Sequence, residues 1–82
     1  MKLETILKDL GFVKKRITSS IVTYELHTNG VGICLWHGLI YRIYITTNYA
    51  YELVYDNVKS EFEILIYLNK LIHDANTNQK SD

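Results

Sequence analysis

Three residues of this 82-residue chain have side chains that could bind a metal ion or form a nucleophilic pair: Glu25, His27 and Cys34. Carboxylate, imidazole and thiolate groups are zinc ligands, and a cysteine beside a histidine is the starting point of thiol catalysis. If both segments are strands of one hairpin, Glu25 lies opposite Cys34 and His27 lies one pleat away. Neighbours on one flat sheet face do not surround an ion, because zinc takes its ligands in a tetrahedral arrangement. We therefore expect no metal, no cofactor and no catalytic role here.

The rest of the sequence carries no motif of a familiar catalytic or nucleotide-binding site. There is no glycine-rich phosphate loop, no His-Glu-x-x-His and no Gly-x-Ser-x-Gly. A single cysteine also excludes a disulfide within the chain. His37 falls in a predicted loop and His73 near the end of a predicted helix, where we expect solvated side chains. The sequence therefore predicts a protein that is not an enzyme.

Charge gives one further candidate site. Nine Lys and Arg residues balance nine Asp and Glu residues, so the chain lacks the broad positive field of nucleic-acid-binding proteins. The only basic run is Lys14, Lys15 and Arg16, with Lys8 nearby. These residues either protect an edge strand from unwanted pairing or contact the phosphates of a nucleic acid. The first interpretation is favoured, and a small nucleic-acid-binding regulatory protein remains the alternative function.

Amphipathic helices are predicted at both ends of the chain. In the first, apolar residues follow the spacing i, i+3, i+4, i+7 and a glycine stands at the expected C-cap: Leu3, Ile6, Leu7, Leu10 and Gly11. The second helix begins with a capping box formed by Ser60 and Glu63 and ends near Ala75. Its predicted apolar face contains Phe62, Leu65, Leu68, Leu71, Ile72 and Ala75.

Between the helices the apolar pattern has a period of two, which is typical of strands. From Phe12 to Tyr55 the β-branched and aromatic residues are interrupted by turn residues at 18–20, 29–30, 37–38 and 46–48. This predicts a meander of four or five antiparallel strands with the basic strand at an edge. Residues 1–75 should form one α+β domain of two layers, with both helices on one face of the sheet. Residues 76–82 are predicted to be a disordered tail.

The strand register can also be predicted. A two-residue type I′ turn at Asn29-Gly30 pairs Thr28 with Val31. Three-residue loops at 36–38 and 46–48 then keep the apolar residues of the later strands on the helix side: Leu39, Tyr41, Ile43, Ile45, Tyr49, Tyr51, Leu53 and Tyr55. The same register places Arg42 opposite Glu52 on the other side of the sheet, where the two charges could pair.

That other side is the predicted functional surface. From residue 31 to residue 55 only Arg42 and Glu52 are charged, which is unusual for a sheet face in water. An apolar and aromatic centre with a polar rim is typical of a recognition surface or a dimer interface. The predicted protein-binding residues are Trp36, Ile40, Arg42, Tyr44, Glu52 and Val54.

These observations predict a cytoplasmic, homodimeric protein that acts by occupying the surface of another protein. No apolar run approaches the ~20 residues of a membrane span, and the first ten residues mix charges with apolar positions, unlike a targeting segment. The size and class also suit small inhibitors from phages and mobile elements, such as anti-CRISPR proteins, by analogy alone.

Overall fold

The structure is a computed structural model that describes residues 2–48 and 50–78. Its elements in chain order are α1 (Leu3–Asp9), β1 (Val13–Arg16), β2 (Val22–Thr28), β3 (Val31–His37), β4 (Tyr41–Thr46), β5 (Tyr51–Val58) and α2 (Glu61–Asn78). The strands form one antiparallel sheet in the order β1-β2-β3-β4-β5. This confirms the predicted α+β meander with a helix at each end.

Both helices contribute to a single core on one side of the sheet. Its buried members are Leu3, Leu7, Phe12, Tyr24, Ile33, Leu35, Ile43, Val58, Ile64 and Leu68. We call this side the helix face and the opposite side the open face. Because side chains alternate between the two sides of a strand, Cys34 and Trp36 lie on the open face while Ile33 and Leu35 lie in the core. Neither helix within residues 2–48 and 50–78 is long and apolar enough to cross a membrane.

The local signals at the helix ends are confirmed. Gly11 adopts a φ of 102°, which favours glycine, and its N–H donates to the carbonyl of Lys8 at 3.0 Å. The N–H of Phe12 donates to the carbonyl of Leu7 at 2.9 Å, which ends α1 and turns Phe12 into the core. At the start of α2 the N–H of Glu63 donates to Ser60 Oγ at 3.1 Å, as the capping box requires.

The predicted end of the second helix at Ala75 is wrong, because α2 continues to Asn78. The extra turn is held against the β2–β3 hairpin: Asn76 Oδ1 accepts hydrogen bonds from Thr28 Oγ1 and Asn29 Nδ2, each at 3.0 Å. Residues 76–78 are therefore not part of a tail. The remainder of the predicted tail, 79–82, lies outside the described residues.

The predicted register of the first hairpin is confirmed. Thr28 pairs with Val31 across Asn29 and Gly30, whose φ values of 52° and 80° are those of a type I′ turn. Glu25 consequently lies opposite Cys34, as expected.

The β3–β4 loop differs from its prediction. It consists of residues 38–40, and Leu35 pairs with Ile43 instead of Leu39. Leu39 therefore lies in the loop, fully exposed, rather than in the core. β3 extends further than expected because its last residues pair with β4. The His37 ring stacks on Tyr41 with centroids 4.2 Å apart. Ile43 lies four residues beyond Leu39, an even number, so each side chain of β4 lies on the predicted side of the sheet.

The predicted pairing of Arg42 with Glu52 is wrong. Glu52 lies opposite Ile45 on the helix-face side, and the shift from the predicted register is an odd number of residues. Tyr51 and Leu53, expected on the helix face, consequently lie on the open face opposite Thr46 and Tyr44. The predicted position of Tyr49 lies outside the described residues.

The first of two irregularities in β5 then restores the predicted alternation. The register shifts between the pairs Ile43–Tyr55 and Tyr44–Leu53, which leaves Val54 as an extra residue. Tyr55 thereby returns to the helix face as predicted, where its ring stacks on Tyr67 of α2 at 4.0 Å. A second shift near Asn57, which has a φ of 52°, changes the alternation again and places Val58 in the core opposite Tyr41.

The predicted apolar face of α2 is confirmed except at its first position, since Leu68 and Ala75 are buried and Leu65, Leu71 and Ile72 pack against the core. Phe62, expected in the core, is 68% exposed, and Ile64 is fully buried in its place. Phe62 and Ile66 lie one turn apart and both point away from the core.

Candidate binding surface on the open face

The open face is built by the register of the four longer strands. These strands contribute Thr23, Glu25 and His27 of β2, Gly32, Cys34 and Trp36 of β3, Arg42, Tyr44 and Thr46 of β4, and Tyr51, Leu53 and Asp56 of β5, and Lys15 of the edge strand β1 lies beside them. Among residues 2–48 and 50–78, no helix or further strand covers this side of the sheet. The face is thus a free surface with an aromatic centre.

Trp36 is held in a fixed position on this face. Its ring lies against Gly38, where an added Cβ would come within 2.8 Å of the ring, so the glycine leaves the space that the indole occupies. On the neighbouring strand the guanidinium carbon of Arg42 lies 5.2 Å from the ring centroid, a cation–π contact.

Arg42 is in turn oriented by Asp56. Its Nε donates to Asp56 Oδ1 at 2.9 Å, and this hydrogen bond raises the pKa of the Arg42 guanidinium. Asp56 reaches the open face because the extra residue in β5 changes the alternation along that strand. The positive charge of Arg42 is therefore neutralised by Asp56 of the same chain.

A second aromatic group lies beside the first. The rings of Tyr44 and Tyr51 are stacked with centroids 4.7 Å apart and planes inclined by 13°. The Tyr51 side chain lies beside the Cys34 thiol, and both line one cavity. Burial of the hydroxyl, together with this thiol, raises the pKa of Tyr51 to about 12, although the side chain as a whole is 60% exposed.

The structure brings Glu25, His27 and Cys34 together around a cavity of about 210 Å³ that Tyr51 also lines. Burial and the nearby Glu25 carboxylate raise the pKa of the Cys34 thiol, so it stays protonated at neutral pH and is a poor nucleophile. The Glu25 carboxylate contacts Lys15 Nζ at 3.3 Å and His27 Nε2 at 3.7 Å. In the part of the chain that the structure describes, no three acidic, His or Cys side chains are placed to hold a metal ion.

A groove of about 560 Å³ lies at the Trp36 end of the face. Trp36, Ile21, Leu39 and Ile40 form its apolar wall, and Arg42 lies at its rim. The β1–β2 and β3–β4 loops supply this wall because antiparallel order brings them to the same end of the sheet.

The predicted protein-binding residues separate into two groups. Trp36, Arg42 and Tyr44 lie together on the open face, and Ile40 lies beside them in the loop. Glu52 points to the other side of the sheet, and Val54 is the extra residue of the irregular β5.

Sequence reasoning missed three residues of the surface, namely Tyr51, Leu53 and Asp56. Asn57 is the one residue of β5 whose type signals an irregular position, because asparagine tolerates positive φ, but it marks the second irregularity, which follows these three residues.

The predicted basic residues are divided between the two sides of the sheet: Lys8 and Lys14 line one cavity beside α1, whereas Lys15 lies on the open face. β1 is an edge strand, as predicted, and its side chains alternate between the two faces. Lys14 pairs with Glu4 of α1 at 3.0 Å, whereas Lys15 pairs with Glu25 on the open face at 3.3 Å. These pairs reduce the positive charge that phosphates would meet.

No family model, no curated protein and no solved structure matches this chain. The function must therefore be argued from the surface itself.

Proposed function

We propose that this chain is a non-enzymatic protein-binding module that dimerises by packing two open faces together and acts by covering a surface of a partner protein. The observation that carries the proposal is the ordered aromatic group of Trp36, Tyr44 and Tyr51 on a sheet face that no described element covers. Tryptophan, tyrosine and arginine are the residues that most often dominate binding energy in protein interfaces.

The aromatic side chains are ordered before any partner binds. Trp36 is fixed between Gly38 and Arg42, and Tyr44 is fixed against Tyr51. Association therefore requires little further loss of side-chain entropy, which is one of the main costs of forming an interface. Such a surface suits binding by contact and needs no chemical step.

The charges of the open face favour a second copy as its occupant. Lys15 pairs with Glu25 and Arg42 pairs with Asp56, so each cation already has an anion beside it. When two open faces approach each other, no unpaired charge of one face therefore meets a like charge of the other. Two open faces also meet as an isologous interface, the arrangement of most homodimers.

The size of the face predicts a weak dimer. The central strands have six or seven residues and are therefore about 20 Å long, and five strands span about 20 Å in width. Burying two such faces removes on the order of 1,000 Å² of surface, the lower limit for a specific interface. Association should depend on protein concentration in the micromolar range.

Face-to-face packing leaves the edges of both sheets free for a partner. We propose that the dimer blocks a surface of that partner, as an inhibitor from a phage or mobile element, such as an anti-CRISPR protein, could do. A chain with one protonated thiol also suits the reducing cytoplasm.

Sedimentation velocity across roughly 1 µM to 1 mM protein tests the dimer. We expect the unmodified chain to change from monomer to dimer over this range and Tyr44→Glu to remain a monomer. Leu53→Glu is a second variant at a 42%-exposed position, in case loss of the Tyr44 ring disturbs folding. Phe62→Glu adds the same charge to an exposed site on α2 and should dimerise normally. A chain that is monomeric throughout, or variants that all dimerise equally, would contradict the proposal.

A further inference from the structure

The two edges of the sheet are not equally protected. β1 has four residues, three of them basic, and basic side chains discourage pairing with other strands. β5 has eight residues and contains neither lysine nor proline. Its first four residues, 51–54, are all exposed, and the order of the sheet places no described strand beside them. β5 therefore presents unpaired backbone N–H and C=O groups to the solvent.

The regular part of this edge is short and well defined. The pairs Tyr44–Leu53, Ile45–Glu52 and Thr46–Tyr51 follow one another without interruption, and the irregularity at Val54 comes after them. An added strand can therefore align on residues 51–53, with one of its faces continuing the open face beside Tyr51 and Leu53.

A second copy of β5 fits this edge poorly. In a two-fold antiparallel pair centred on residues 51–53, the two Glu52 carboxylates lie directly opposite or on a diagonal about 7–8 Å apart. Like charges at these positions are destabilising. Glu52 also belongs to none of the ion pairs among the described residues, whereas the other acidic side chain of β5, Asp56, is bound by Arg42.

We propose that β5 accepts an extended segment of the partner protein as a sixth strand, with a Lys or Arg of that segment opposite Glu52. Backbone hydrogen bonds along residues 51–53 supply the affinity, and the charge opposite Glu52 selects the segment. Apolar side chains on the other face of the added strand pack beside Tyr51 and Leu53. This inference rests on the proposed function as a protein-binding module and names the chemistry of its partner.

The experiment uses a short acetylated and amidated peptide in which valine alternates with lysine, titrated to about 1 mM into nitrogen-labelled protein. We expect saturable shifts of the backbone amides of 51–53, with much smaller shifts in β1. A control peptide N-methylated at every backbone amide cannot donate along either edge and should not bind. Replacing its lysines by glutamates should weaken binding roughly 2- to 5-fold or more, since a charge pair across strands contributes modestly.

The matched protein variant is Glu52→Lys, a change at an exposed position that leaves the open face intact. It should prefer the glutamate peptide, reversing the selectivity. The absence of amide shifts in β5, equal binding of the N-methylated peptide, or unchanged selectivity in Glu52→Lys would each overturn the inference. Tighter dimerisation of Glu52→Gln than of the unmodified chain would also overturn the inference. That result would indicate that a second copy of β5 pairs with the edge.

The test of strand addition at β5 can fail independently of the test of the dimer. The dimer depends on Tyr44 and Leu53 and is read by sedimentation, whereas strand addition depends on the backbone and on Glu52 and is read at individual amides. A monomeric chain that binds the lysine peptide would retain the edge site and lose only the dimer interface.

Discussion

Arg42 is bound to Asp56, fourteen residues further along the chain, by a 2.9 Å hydrogen bond that joins β4 to the irregular part of β5. The same guanidinium lies over the Trp36 ring. One ion pair therefore links three strands of the open face and orients the largest aromatic side chain on it. Its formation requires the extra residue in β5, because regular alternation would direct a different side chain toward Arg42.

The first prediction concerns this pairing. In a double-mutant cycle of Arg42→Ala and Asp56→Ala, we expect a small positive coupling in the free energy of unfolding, since the pair is partly exposed. The matched cycle of Arg42→Ala with Glu52→Ala should show no coupling, because Glu52 lies on the other side of the sheet. Urea unfolding of the single and double variants measures both. Coupling to Glu52 instead of Asp56 would favour the register predicted from the sequence.

The second prediction separates the two sides of α2. Leu68 is fully buried and Phe62 is 68% exposed. Leu68→Ala should lower the free energy of unfolding by about 2–5 kcal/mol, because it leaves a cavity in the core. Phe62→Ala should change it by no more than about 0.5 kcal/mol, despite removing a larger side chain. Equal losses of unfolding free energy in the two variants, measured by denaturant unfolding, would contradict the observed orientation of the helix.

The third prediction concerns Thr23, which lies opposite Trp36 and is only 5% exposed. Its hydroxyl has no hydrogen-bond partner among the described residues, and such a group costs stability when it is buried. Thr23→Val keeps the shape and removes the hydroxyl, so we expect a gain of about 1 kcal/mol.

Thr23→Ser is the control for that substitution. It keeps the hydroxyl and removes the methyl group, so it should lose about 0.8 kcal/mol. A loss of stability in Thr23→Val would show that the hydroxyl has a favourable interaction that the valine cannot make.

The fourth prediction concerns pH. Burial raises the pKa of the Cys34 thiol, and the pKa of Tyr51 is raised to about 12. The native state therefore keeps these protons at pH values where the unfolded chain has lost them. Stability should be unaffected by these groups at neutral pH and should fall as the pH rises above ~8.5, where an unperturbed thiol ionises.

Urea unfolding at several pH values compares the unmodified chain with Cys34→Ala and Tyr51→Phe. Each variant lacks one of the two titrating groups, so its stability should fall less steeply with pH than that of the unmodified chain. Reaction of native Cys34 with a disulfide reagent should also be slow relative to the unfolded chain. Identical pH slopes in all three proteins would contradict the prediction.

Local chemistry along the chain specifies several parts of this fold. The helix periodicity, the C-cap at Gly11, the capping box at Ser60 and Glu63, and the Asn29-Gly30 turn each follow from residues close together in the chain. The edge position of the basic strand and the two-layer arrangement follow from the same local patterns. These elements were sufficient to predict an open sheet face that includes Trp36, Arg42 and Tyr44.

Tertiary structure alone decided which residues of β5 complete that face. A period of two fixes the alternation of side chains and leaves the choice of cross-strand partners open. Tyrosine is compatible with either face, since it has an apolar ring and a polar hydroxyl. The choice was made by contacts between distant residues: Tyr55 stacks on Tyr67 of α2 and Tyr51 stacks on Tyr44 of β4. Both stacks form only because β5 carries an extra residue between them, and that residue is stabilised by the assembled sheet and helix together.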